Sequence, residues 1–253
     1  MVGLLACGWG CAPKAEKQFG ESNRAFLERY LAQDDGDFQF QAMMKVARSW
    51  DGRADWAQER FRDSLQNAVY AEVRLAALTG VLRSDAVPVE LLQERLFADA
   101  SVMVRRVTVQ RLEELAGSGR ISAEQIEGLA RAILAADADE DVGVQAQRLR
   151  LLGYSRNPDA LLPLVAQVRQ EQPERLAIGF AAQASLLRMT GQGYQSDQGG
   201  WLAWLEGTDS PFAQAGMVPA ELRKADRPWW LQIARQYLIR RVEPEDREDW
   251  WQL

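Results

Sequence analysis

The 253-residue sequence predicts an all-α fold built from stacked helix pairs. Three observations carry this. Apolar residues recur at offsets of five and eight from a valine in successive segments, which at about 100° per residue puts them on one arc of a helix. Helix start signals punctuate the gaps between those segments. No stretch offers the strict apolar/polar alternation of a half-buried strand.

Taken in chain order, Phe38, Met43 and Val46 already obey these offsets, in weaker surroundings. "DWAQERFRDSL" follows, with Trp56, Phe61 and Leu65 as its apolar positions. In "AEVRLAALTGVL" the origin Val73 is joined by Leu78 and Val81. Pro88 then opens "VELLQERLF", which carries Leu91, Leu92, Leu96 and Phe97. From Val104 the same offsets give Val109 and Leu112. Ser122 with Gln125 reads as a capping box before "AEQIEGLARAIL", with Ile126, Leu129, Ile133 and Leu134 apolar. From Val144 the offsets give Leu149 and Leu152. Asn157-Pro158 reads as a cap followed by proline at the first helical position, leading into Leu161, Leu162, Val165 and Val168. Pro163 falls within the first two turns of that helix, where proline is tolerated. The segment 174–189 is apolar on most sides, as befits a helix sandwiched between neighbours.

The origins lie 31 residues apart (73 to 104) and then 40 apart (104 to 144), the longer interval holding the connection "LAGSGRIS". A lone helix pair cannot hide its own apolar face, so such pairs must stack side by side.

"AEVRLAALTGVL" and "ASVMVRRVTVQRLEEL" resemble the second helix of HEAT repeats, in which a short acidic turn is followed by Val-Arg and an alanine/leucine face. The short spacing is similar to that of abbreviated bacterial HEAT-like units, and the resemblance covers residues 21–190. The third unit departs from it, with Gln145 in place of arginine. The resemblance implies a curved α-solenoid, or superhelix, that binds partners on its concave face. Beyond it, Thr190-Gly191, Tyr194, Asp197, Trp201 and Trp204 resemble the segment that closes many exported bacterial HEAT-repeat proteins. Gln195 stands where that segment leads one to expect glycine. Residues 191–253 are accordingly read as an aromatic-rich helical cap holding six of the nine tryptophans. In it Trp201 and Trp204 close the end of the stack, and Trp229 and Trp230 open a helix that docks on the stack or holds a partner.

Residues 1–20 are read as a signal and linker segment. Leu4-Leu5-Ala6-Cys7 resembles a bacterial lipobox, with Cys7 as the lipidated residue and Cys11, after Gly8-Trp9-Gly10, the poorer fit. The apolar run is shorter than the roughly 7–15 residues of a signal h-region and lacks a basic flank, which an upstream start would explain. On this reading the protein is an envelope lipoprotein facing the periplasm; with Met1 as the true start it is cytoplasmic.

Composition narrows the chemistry. There is no histidine, and the only cysteines are Cys7 and Cys11. Thiol proteases, Ser-His-Asp hydrolases, Cys/His zinc sites and His-ligated di-iron hydroxylases of HEAT type are therefore excluded. Carboxylate-only chemistry survives. "DADEDVG", 137–143, resembles a calcium loop, but the positions for glycine and glutamate hold Val142 and Arg148, so it is read as a capping turn. "QDDGD", 33–37, is read as a turn for the same reason. No cofactor or metal is expected.

Arg74, Arg105 and Arg106 recur near the starts of the second helices and are candidate partner-binding residues together with Trp229 and Trp230. The competing reading pairs these arginines with turn aspartates such as Asp99 or Asp141, as a structural ladder. The net charge of −6 favours the ladder and argues against nucleic acid. The function expected is a non-catalytic HEAT-type scaffold that binds a protein partner, touching membrane only through a lipid anchor. The alternatives are a nucleic-acid-binding HEAT module and a carboxylate-based enzyme acting on glycans.

Overall fold

The computed structural model describes residues 14–216, and Cys7, Trp229 and Trp230 lie outside the described residues. Among the described residues the chain is all-helical, without a strand. It divides into two compact units, Met1–Val104 and Arg105–Leu253.

The first unit holds α1 (Asn23–Leu31), α2 (Gly36–Arg48), α3 (Asp55–Asn67), α4 (Ala71–Val81) and α5 (Val89–Ala98). Here α1 packs on α2 and α3 on α4, while α2 also lies against α4 and α3 against α5. Successive pairs are thus set side by side, as the offsets require. After α6 (Val102–Gly117), the second unit holds α7 (Ala123–Ala135), α8 (Val142–Leu152), α9 (Leu161–Gln167), α10 (Leu176–Thr190) and α11 (Gln198–Glu206). The same scheme recurs: α7 packs on α8 and α9 on α10, with α8 against α10 and α9 against α11.

The periodic valines and leucines are core residues of their own units. Val73, Leu78, Val81, Val104, Val109, Leu112, Val144, Leu149 and Leu152 are all buried. Each such side chain contributes about 1.5–3 kcal/mol by leaving water. Phe61 and Leu65 of α3 are buried as well, and α3 comes close enough to α4 that Gly80 has no room for a side chain. A Cβ there would stand 2.5 Å from Phe61 Cγ. Buried Gln58 seals the same contact, its Nε2 donating to Gly52 O at 2.7 Å and Gly80 O at 2.9 Å.

The helix ends follow local chemistry. Ser122 and Gln125 form the reciprocal capping box that starts α7. Asp35 caps α2 and Asp141 caps α8, each side chain accepting a backbone N–H of the first turn. Pro88 is the cap residue of α5. Asn157 and Pro158 start a 3-10 turn, Pro158–Ala160, that leads into α9. The buried face of α9 is then Leu161, Leu164 and Val165, continued by Val168. Leu162, read from sequence as part of that face, is 62% exposed, because one residue from Leu161 is a 100° turn away. α10 ends where Gly191 takes the left-handed conformation at φ 73°.

In the closing segment Trp201 of α11 is buried, 1% exposed, and its Nε1 donates to Gln195 O at 3.0 Å. Tyr194 and Trp204 meet Trp201 edge-on, with ring centres 5.1 and 6.0 Å away. Gln195, at the position where glycine is expected, has φ 51° and is the one non-glycine with positive φ among the described residues. The backbone there asks for glycine and the sequence supplies glutamine.

Candidate functional site

The arginines singled out from sequence sit in the first turns of α4 and α6, so their long side chains reach the turn that follows the next helix. Arg74 grips Asp99 as a two-point fork, Nε to Oδ2 and Nη2 to Oδ1, both at 2.8 Å. Its Nη1 also donates to Ala68 O and Val69 O. Asp99 in turn accepts Ser101 N–H at 2.9 Å. Arg105 repeats the pattern on Asp139, with Nε to Oδ2 at 2.9 Å and Nη2 to Oδ1 at 3.0 Å, while Asp139 accepts Asp141 N–H. Arg106 bonds Asp141 at 2.8 and 3.1 Å. The arginines therefore meet turn aspartates, Asp99 and Asp141 among them. Gln145, in the third unit, does not extend the series: its Oε1 accepts Asp139 N–H of its own turn.

Each rung also holds a second cation; in the first it is Arg95, whose Nη1 lies 3.9 Å from Asp99 Oδ2. In the second, Arg148 Nη2 lies 3.0 Å from Asp139 Oδ2, so one carboxylate faces two guanidiniums. All three side chains of this second rung are buried, Asp139 at 4% exposure. Burial pushes the Asp139 carboxyl upward, but the hydrogen bonds from Arg105 and Asp141 N–H, with the charges of Arg148 and Arg105, outweigh it and hold the group below its ordinary range. Desolvation pulls Arg148 down, whereas the Asp139 hydrogen bond raises Arg105. The guanidiniums of Arg74 and Arg105 are turned inward. Of the three predicted arginines only Arg106, 46% exposed at its side chain, also faces solvent.

A different cluster in the first unit is presented outward. Between α2 and α3 the chain makes a 3-10 turn, Trp50–Arg53. Its form is enforced from several sides. Ser49 Oγ donates to Val46 O at 2.8 Å, and Asn23 Nδ2 reaches from α1 to Asp51 Oδ2 at 3.0 Å. Gly52 is buried so tightly that a Cβ would stand 2.6 Å from Ala47 O, and only glycine closes the turn. Held this way, Trp50 stands 92% exposed. Arg48, Trp50, Arg53 and Arg83 line a cavity of about 240 Å³. Arg48 ends α2, and Arg83 lies just past α4, which packs along α2. Arg83 is pinned at the rim because its Nη1 donates to Ala47 O. Arg48 and Arg53 are exposed.

Reading the sequence alone missed this cluster. The available signal was a tryptophan outside every apolar stripe, placed between Arg48 and Arg53 in a turn closed by Asp51-Gly52. Arg83 joins it only through the α2–α4 packing.

Among the described residues no helix is long and apolar enough to cross a membrane, and no group of three or more His, Cys, Asp or Glu side chains is placed to hold a metal ion. Comparison with protein-family models, curated proteins and solved structures gives no match.

Proposed function

We propose that this chain is a non-catalytic helical-repeat scaffold of the HEAT-like solenoid type that binds a protein partner. One observation carries the reading: the Trp50 turn. Trp50, 92% exposed, is displayed on a braced turn and lines a cavity together with Arg48, Arg53 and Arg83. Tryptophan and arginine are the residues most enriched among the anchors of protein interfaces. The buried acids Asp99 and Asp139 are occupied as counter-ions in arginine forks, which favours a structural over a catalytic use of carboxylates. The reading includes an envelope tether through lipidated Cys7.

Site-specific photocrosslinking in living cells tests the scaffold. A crosslinking amino acid at position 50 is expected to give a protein adduct of defined mass, while the same probe at exposed Leu162 gives none. No adduct at 50, or equal adducts at both positions, overturns the proposal. The tether is tested by metabolic labelling with an alkyne fatty acid, with the label lost in Cys7→Ser.

A further inference from the structure

We infer that the cavity between Arg48, Trp50, Arg53 and Arg83 receives a short acidic, aromatic-bearing segment of a protein partner, an inference that rests on the scaffold reading and names the chemistry of its contact. Three features of the cluster point this way. The first is charge type. Arg48, Arg53 and Arg83 line one small cavity, and guanidinium forks match carboxylates in a planar, two-point geometry. Asp51, the acid within the turn, is directed to Asn23 Nδ2.

The second is size. A cavity of about 240 Å³ is below the roughly 300–1,000 Å³ that encloses a free small molecule. It suits one or two side chains projecting from a longer chain that runs across the surface. The third is the indole. Trp50 offers a flat apolar face beside the cations, so a carboxylate alone would use only half of the surface. An aromatic residue next to a glutamate or aspartate would use both.

Nucleic acid fits less well. A phosphate backbone is tracked by an extended basic surface, whereas these arginines form one compact cluster on a chain of net charge −6. The turn itself is ready for a ligand. Gly52, the Ser49 hydroxyl and the Asn23–Asp51 bond hold it in place, so little ordering cost attaches to binding.

Fluorescence anisotropy on the full-length protein tests the inference, with a labelled twelve-residue peptide of alternating Glu-Phe and Glu-Gly pairs as the probe. Saturable binding is expected at low salt. It should fall at least tenfold in Trp50→Ala and in Arg53→Glu, and at least tenfold when the peptide's glutamates become glutamines. Both altered side chains are exposed, and an unchanged thermal melt for each variant shows that the fold is kept. Equal binding of the glutamine peptide, or undiminished binding by both variants, overturns the inference. So does a labelled oligothymidylate, or a phosphatidylglycerol vesicle, that binds more tightly than the peptide and is lost in the same variants. A chain that crosslinks a protein at position 50 but ignores the peptide refutes the acidic-segment inference and leaves the scaffold standing. Peptide binding without any crosslink in cells overturns the scaffold and with it the partner segment, leaving only the cavity's affinity for acidic peptides.

Discussion

Replacing Asp139 by asparagine probes a buried carboxylate that faces two guanidiniums. The amide keeps the shape and one acceptor for Asp141 N–H, but turns an N–H₂ group toward guanidinium donors. Arg105 and Arg148 then lose their shared counter-charge, and Arg105 retains the exposed Glu140, 3.3 Å from its Nη2. Breaking a buried ion pair from one side costs about 3–5 kcal/mol, because the remaining charge is uncompensated. With a urea dependence of about 1–3 kcal/mol per molar, the unfolding midpoint falls by at least roughly 1 M. Urea titrations followed by circular dichroism measure this directly.

Removing one stranded cation as well, in Asp139→Asn with Arg148→Met, is expected to recover at least about 1 kcal/mol relative to Asp139→Asn alone. The acid limb of stability supplies an independent check. Asp139 has a folded pKa below its unfolded value, so its contribution is complete above the unfolded pKa of about 4. It is lost as pH falls through the lower folded pKa. Asp139→Asn should therefore unfold along a shallower acid limb than the wild type. A midpoint shift under about 0.3 M, or a double variant whose loss is the sum of the single losses, would refute the argument that the two arginines share one indispensable anion.

Three further changes have expected outcomes. Gly80→Ala puts a methyl 2.5 Å from Phe61 Cγ, and this clash with a buried ring outweighs alanine's helix preference, for a net loss of about 1–2 kcal/mol in the urea midpoint. Gln195→Gly relieves a left-handed backbone while keeping the carbonyl that accepts the Trp201 indole N–H, and the melting temperature should rise, by about 0.5–1 kcal/mol of stability. Trp50→Ala should change stability by less than about 0.5 kcal/mol, since the side chain is almost wholly in solvent; a larger loss in the thermal melt would mean that Trp50 is structural.

How much of this was legible in the sequence depended on how local its cause is. The offsets of five and eight from Val73, Val104 and Val144 name nine residues, and all nine are buried, because helical period and burial are one geometric fact. The Ser122 box and the left-handed Gly191 are likewise decided within one turn of helix. Gln195 is the instructive case: the pattern asked for glycine, and the backbone has the conformation that glycine favours although the residue is absent. What the pattern could not place were meetings between elements. Arg148 counted from sequence only as the residue that spoils a calcium loop. In the fold it spans the helix turn to become the second cation on Asp139. Leu162 was misassigned because two consecutive leucines both look apolar, and the 3-10 entry of α9 selects which of them faces inward.

The two arginine groups differ in what the helix ends provide. Arg74 and Arg105 lie in first turns, beside connections that carry aspartates, and the acids there already suit the positive end of a helix. Their charges are matched within the fold. Arg48 and Arg83 lie at the finishing ends of α2 and α4, where the chain exposes carbonyls, and Arg83 is held by one of them, Ala47 O. Backbone dipoles at helix C-termini repel anions, so an acidic partner would have to be held by guanidiniums reaching beyond the last carbonyls. Binding there should therefore weaken steeply with added salt, because Arg48 and Arg53 are exposed and their attraction is screened over about 8 Å at physiological ionic strength. The buried rung at Asp139 should be far less sensitive to the same salt, since it lies out of reach of mobile ions.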